Sequence, residues 1–524
     1  MITSSPRGMV TAPHHLASQT GRDVLAEGGT AVEAAVAMAA TLAVVYPHMN
    51  GIGGDSFWLV SEPDGRVHGV DASGAAAKAA DRTLYERAGH RTIPWRGGLA
   101  VNTVAGTISG WQAILQFDGG ALPLARLLRD AIHYATNGVS VTKGWADIAA
   151  SKAEDLQDAG YRALYMASGE PLLEGEQFKN PALAATLERL VQQGLRSFYD
   201  GPLAQDITRD LAEAQSPVSA QDLAAHNAAR FEPLSIRING ATLFNTPAPT
   251  QGMASLLILA LFDRWQADNC DSFDHVHGIV EATKQAFAFR DRHIEDPSAM
   301  SIDCQAVLDD ADSLDAMRRD MNPDRAAPWG HPPSNGDTVW FGAVDGRGQM
   351  VSAIQSLYFE FGSGVVLPQT GIVWQNRGAS FSLAQTGRNT LRPGRKPFHT
   401  LNPALAKFDD GRVMAYGTMG GEGQPQTQAA LFSRYTRYGM GLQEAVSAPR
   451  WLLGRTWGED GTALKLEDRF DPALYDALRH AGHDVVLVEK YSSLMGHAGA
   501  LVRGSDGALE GACDPRSDGA VATC

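Results

Sequence analysis

The chain has 524 residues, 44% hydrophobic and 20% charged, an ordinary globular composition with material for a large buried core. Its formal net charge of −15 excludes the overall basic surface that a nucleic-acid binder needs to displace counterions from phosphates. Cys270, Cys304, Cys513 and Cys524 form no CxxC pair and have no spaced histidine partner, so zinc and redox motifs are not expected and a reducing compartment is.

The opening residues Met1 to Gly8 contain no apolar stretch of signal length. The longest apolar runs, Ala34 to Val45 and Leu256 to Phe262, are too short to span a bilayer, so a soluble cytoplasmic protein is expected. Thr30 and Glu33 form a capping box that opens a helix over 31–45, stopped at Pro47. That helix is apolar all round and should be buried. Asn50 to Asp55 is a glycine-rich turn into a strand at 56–60, and Pro63 to Gly65 turns the chain into 67–70, giving a hairpin. Residues 105–266 read as mainly helical, interrupted by a second hairpin, 234–238 with 241–244, turning at Asn239 and Gly240. A long helix is predicted over 273–295; His275 and His277 fall on different faces of it and make a poor metal pair. Residues 322–337 are rich in Pro, Gly, Asn and Asp, the composition of an exposed loop, which ends abruptly in a strand at 338–344. A returning strand at 350–356 opens a β-rich region with helices near 428–438 and 472–481. Strands and helices are grouped rather than alternating, which predicts α+β layers.

The sequence has no G-x-S-x-G elbow, no H-E-x-x-H and no P-loop, and Gly51, Gly53 and Gly54 do not have dinucleotide-fingerprint spacing. What remains is the loop-to-strand junction Gly336, Asp337, Thr338. Alone, such a common pair reads as a structural strand start.

Several segments, in order and over essentially the whole chain, resemble the γ-glutamyltransferase superfamily of N-terminal-nucleophile hydrolases. They include Arg7 to Leu59, the Phe289 to Arg292 helix and Thr338 with Asp345, Gly348, Phe361, Gly362, Gly371 and Ile372. Gly420 with Gly421, Asp514 to Arg516, and Asp518 with Gly519 complete the set. The resemblance implies a four-layer αββα sandwich built jointly by two fragments, residues 1–337 and 338–524. It implies that Thr338 attacks the Asp337 carbonyl, that the ester hydrolyses, and that Thr338 becomes a new N-terminus. Its hydroxyl is then the nucleophile and its own α-amine the base, an arrangement open only to an N-terminal residue. With a pKa of about 8, roughly a tenth of such an amine is neutral at pH 7, whereas a lysine is almost wholly protonated. Ser356 takes the place of a second hydroxyl that supports the nucleophile, and Gly420 and Gly421 match the glycine pair of the oxyanion hole. No metal or organic cofactor is implied. The fragments would stay together as an αβ heterodimer, with (αβ)2 pairing plausible from relatives and no nucleic acid or membrane as partner.

The chain departs from its relatives where they grip a γ-glutamyl group. Their α-carboxylate arginine falls on Ala72, their α-amino aspartate on Ser380, an asparagine on Tyr358, and their paired serines on His399 and Thr400. The lid segment between Ser382 and Lys396 is short. Losing both charged clamps costs roughly 10²- to 10⁴-fold in γ-glutamyl selectivity, at about 1.5–3 kcal/mol per charged hydrogen bond. The acyl group is therefore expected not to be an α-amino acid, with Tyr358 and Trp374 making the pocket small. Thr338 to Trp340, Phe361 to Val365, Trp374 to Gly378 and Met419 to Gln424 resemble a branch of the family that contains oxamate amidohydrolase, an enzyme of purine degradation. The favoured substrate is thus oxamate, giving oxalate and ammonia, with Arg377 as the candidate anion anchor and His399 as a helper. The alternatives are a γ-glutamyltransferase or glutathione hydrolase, a side-chain acylase, and an unprocessed non-catalytic binding relative.

Overall fold

A computed structural model describes residues 2–3, 7–330, 337–454 and 461–524. Gly336 and the side chain of Asp337 lie outside the described residues. Two seven-stranded antiparallel sheets form the centre. One runs edge to edge through Ala520–Thr523, Gly8–Ala12, Asp337–Asp345, Met350–Tyr358, Asp55–Ser61, Val67–Ala72 and Ala229–Phe231. The other runs through Ile2–Thr3, Leu509–Cys513, Ala498–Arg503, Val413–Thr418, Ala404–Phe408, Ala241–Asn245 and Leu234–Ile238.

The buried apolar side chains fall into three separate clusters, and each fills one interface between layers. Met9, Phe57, Leu59, Trp340, Ile354, Leu405 and Leu501 pack between the two sheets. The helices His15–Ala26, Ala31–Val45 and Leu124–Asn137 cover the outer face of the first sheet. Gly252–Asp263, Phe273–His293 and Gly423–Thr436 cover the second. Three apolar seams bind four layers, so the fold is the expected αββα sandwich. Among the described residues no helix is long and apolar enough to cross a membrane.

The local expectations transfer with small shifts. The capping box is complete: Glu33 N–H donates to Thr30 Oγ1 at 3.0 Å and Thr30 N–H to Glu33 Oε2 at 2.9 Å. Asp345 holds the start of the same helix by accepting the Ala31 N–H at 3.3 Å, so the Asp345–Gly348 turn pins a buried helix. Both predicted hairpins form. The helix expected from residue 428 begins at Gly423. Its first turns carry Gln424, Gln426 and Gln428, which look like loop residues in sequence but are buried; Gln428 Nε2 donates to the Asn402 carbonyl at 2.6 Å. His275 and His277 are turned to different partners, Ser433 and His483.

Candidate active site

The ladder between Asp337–Asp345 and Met350–Tyr358 pairs Asp337 with Tyr358 but Val339 with Gln355. One residue, Thr338, therefore stands opposite two, Ser356 and Leu357. Such a bulge re-aims the side chain at its centre. Thr338 is 1% exposed, and its hydroxyl donates to Ser356 Oγ over 3.3 Å, long for two hydroxyls. Ser356 Oγ also accepts the Tyr358 N–H at 2.8 Å, where Tyr358 sits at φ +82. A bulky residue there costs roughly 1–3 kcal/mol and persists only where its surroundings fix it. Trp340 anchors the strand just beyond Thr338: its indole fills space that side chains at Gly417 and Gly499 would need, and its N–H donates to Ser352 Oγ at 3.0 Å.

Gly420 and Gly421 join the Val413–Thr418 strand to the Gly423–Thr436 helix at φ +116 and +52. The first of these angles is open to glycine at little cost and strained for any other residue. Buried ion networks brace this corner from two sides. Arg290 donates to Gln251 Oε1 at 3.1 Å and to Glu422 Oε1 at 2.8 Å, while Gln251 Nε2 donates to the carbonyls of Gly421 and Thr400, each at 2.7 Å. On the other side Arg450 pairs with Asp514 at 2.5 Å and donates to the Gly496 carbonyl at 2.8 Å; Gly496 packs on Gly420. Arg516 joins Asp514 to Glu467. Replacing Arg290 by Met would remove the guanidinium that pairs with the buried Glu422 carboxylate. Arg290→Met is expected to lose about 3–5 kcal/mol in urea unfolding of an uncut Thr338→Ala background.

Arg377 is 2% exposed, and its guanidinium lies 3.3 Å from the centre of the Tyr358 ring. Nη1 donates to Thr400 Oγ1 at 3.4 Å, while Nε and Nη2 have no partner among the described residues. Burial lowers its pKa. Contacts thus run without a break from Thr338 through Ser356, Tyr358, Arg377, Thr400 and Gln251 to Gly421, and gather most of the predicted positions into one place.

Ser380 stands at the margin, half-buried and donating to the Phe398 carbonyl at 3.4 Å. His399 is 1% exposed and packs edge-on against Phe57 at 5.1 Å. Its Nε2 lies 3.1 Å from Asp55 Oδ2, yet neither ring nitrogen is aligned for a hydrogen bond. Burial, and then the Arg377 charge, hold its pKa well below the usual range, so the ring is neutral. Trp374 does not narrow this place as expected: its indole donates to the Thr103 carbonyl at 3.0 Å and packs toward Phe198 in the helix-side core. Ala72 packs its methyl group on Gly110, so its side chain faces a helix.

Sequence reading missed Asp55, Gln251 and Glu422. Asp55 carried a signal, a lone acid closing a glycine-rich turn before an apolar strand. His277, Glu281 and His483 lie close enough to share a cation, but Lys284 Nζ already stands 2.7 Å from Glu281 Oε1. Thr338, Ser356, Arg377, His399 and Thr400 are each 3% exposed or less, so the uncut chain seals the place where they meet.

Residues 17–524 match the family Gamma-glutamyltranspeptidase. The chain is 53% identical to the oxamate amidohydrolase proenzyme of Klebsiella pneumoniae over 523 residues, covering 99% of this chain and 98% of the relative. It is 39% identical to a glutathione hydrolase-like proenzyme of Bacillus subtilis, with 98% of each covered. Among solved structures, cephalosporin acylase from Bacillus halodurans superposes with a TM-score of 0.91 at 32% identity, over 100% of this chain and 96% of that one. The chain, with its αββα sandwich, belongs to the gamma-glutamyltranspeptidase family.

Proposed function

We propose that the protein is a self-processing amidohydrolase for a small acid amide, with oxamate as the substrate. The Thr338 hydroxyl attacks the Asp337 carbonyl carbon, the peptide bond becomes an ester, and water hydrolyses it. Residues 1–337 and 338–524 remain one globular unit, an αβ heterodimer. The freed α-amine takes the Thr338 hydroxyl proton as the oxygen attacks the substrate carbonyl; Ser356 supports the hydroxyl and the N–H groups of Gly420 and Gly421 receive the oxyanion. The same proton leaves with ammonia, and water releases oxalate from the acyl-enzyme.

The observation that carries the substrate assignment is Arg377, a fully buried guanidinium whose Nε and Nη2 are unmet and which has no carboxylate in ion-pair contact among the described residues. A buried charge is costly unless paired, and a planar guanidinium pairs best with a carboxylate. A small acid amide brings one. The 53% identity to an oxamate amidohydrolase proenzyme supports the same substrate. Against a γ-glutamyl substrate stand the methyl group of Ala72, facing Gly110, and the uncharged Ser380.

Purified, cut enzyme should release ammonia from oxamate and leave a γ-glutamyl anilide intact. Fast anilide turnover with no ammonia from oxamate would move the assignment to a glutathione hydrolase or transferase.

A further inference from the structure

Asp55 opens the Asp55–Ser61 strand, and its ladder partner is Ser356. Its Oδ1 accepts three hydrogen bonds from three separate segments: Gly74 N–H at 3.0 Å, Gly106 N–H at 3.1 Å and Gln375 Nε2 at 3.0 Å. Gln375 is two residues from Arg377 on the same segment, which is fixed to this corner again by the Gln375 N–H bonding the Gly53 carbonyl at 3.0 Å. The other oxygen, Oδ2, accepts nothing, although it is fully buried and faces His399 Nε2 at 3.1 Å. One oxygen is saturated and the other bare, so a proton has one obvious seat, on Oδ2.

The bare oxygen matters because Arg377 is short of negative charge. Among the described residues, the Tyr358 phenol, whose ring lies under the guanidinium, and the Asp55 carboxyl, to which Gln375 ties the Arg377 segment, are groups whose negative charge would act on it. We infer that Asp55 is a positioning residue for the anion site: carrying a proton it leaves Arg377 free for the substrate carboxylate, and ionised it competes for that charge. This rests on the proposed reading of Arg377.

Burial pushes the Asp55 carboxyl up to about 7, against the lowering pull of Gln375 and the Gly74 and Gly106 amides. Of the groups around it, His399, His226 and Tyr199 do not titrate nearby. His399 is held neutral, and His226, bonded to Ser109 Oγ at 2.8 Å, is lowered to about 4 by burial and Lys396. Lys396 is paired with Asp71 at 2.8 Å, and burial drives the Tyr199 phenol far above the neutral range. The exception is the α-amine that cleavage would create at Thr338, with an ordinary pKa of about 8. Losing its charge would also weaken anion binding as pH rises, so a variant must separate the two.

Asp55→Asn is that variant. Its amide oxygen keeps the three accepted bonds, while its –NH2 faces the imidazole as the protonated acid would. In the wild-type enzyme, KM for oxamate should rise about tenfold between pH 6 and pH 8, as expected for a competing group that ionises near 7. In Asp55→Asn the rise should shrink to about twofold, with kcat keeping its own pH profile. A purely structural Asp55 would give a variant that retains the tenfold rise, and that result overturns the inference.

A second measurement needs no variant: calorimetric binding of oxalate to the cut wild-type enzyme should weaken by the same factor across that range. Oxalate binding independent of pH overturns the inference as well. Absence of oxamate hydrolysis would instead remove the proposed function, so the two failures are distinguishable.

Discussion

Thr338→Ala should purify as one uncut 55.9 kDa chain, whereas the wild type should resolve into fragments of residues 1–337 and 338–524 on a denaturing gel. Amide hydrolysis should fall on the order of 10⁶-fold, because one substitution removes the nucleophile and prevents release of its base. The size of the effect follows from that coupling. The hydroxyl alone, with Thr338 still in peptide linkage, has Ser356 as its hydrogen-bond partner among the described residues, at 3.3 Å, and a serine hydroxyl is no base. Thr338→Ser keeps both groups and should still cut itself. A wild-type enzyme fully active with residues 337 and 338 still joined would end the N-terminal-nucleophile reading.

The second large effect is expected at Arg377. Arg377→Met should lower kcat/KM for oxamate by roughly 10²- to 10⁴-fold, the equivalent of two charge-assisted hydrogen bonds at about 1.5–3 kcal/mol each. Turnover of an uncharged amide of similar size should change by less than about threefold. Arg377→Lys keeps a charge without the fork and should fall between. Stability separates this role from a structural one. Arg377 makes one long bond to Thr400 and lies over the Tyr358 ring, so an apolar side chain of similar length should leave the melting temperature unchanged or raise it. A sharp drop in melting temperature, with oxamate and the neutral amide impaired alike, would make Arg377 a structural residue.

The layers were legible because each rests on local signals. The capping box of Thr30 and Glu33, the Asn239–Gly240 turn and the Pro63–Gly65 turn mark where elements start and reverse. The all-apolar helix over 31–45 tells that it is buried on every side. The resemblance supplied the order of the layers, which periodicity alone does not give. Boundaries failed where buried glutamines mimic a loop, at Gln424 to Gln428. Thr338, Ser356, Gly421, Tyr358, Arg377 and Thr400 could be named from sequence and do lie in contact, directly or through Gln251. What sequence could not give is direction. Trp374 and Tyr358 looked alike as bulky residues near the pocket, yet one indole faces the helix-side core and the other ring carries Arg377. Asp55 carried a local signal but not its surroundings, because its neighbours, Gly74, Gly106, Gln375 and His399, come from four distant segments. Such a convergence exists only in three dimensions.

The interleaving of the sheets has a consequence for the life of the molecule. In the first sheet, strands from before and after residue 337 alternate at one edge: Ala520–Thr523, then Gly8–Ala12, then Asp337–Asp345. In the second, Leu509–Cys513 to Ala404–Phe408 are flanked on both sides by strands from the amino-terminal part. Before the cut, folding is a first-order event within one chain. After such a cut, unfolding would free two polypeptides, and reassembly would become a meeting between strangers whose speed depends on dilution. Maturation would thus act as a ratchet: the fold is reached once while the chain is continuous, and a heated, cut enzyme regains its shape poorly, and worse the more dilute it is.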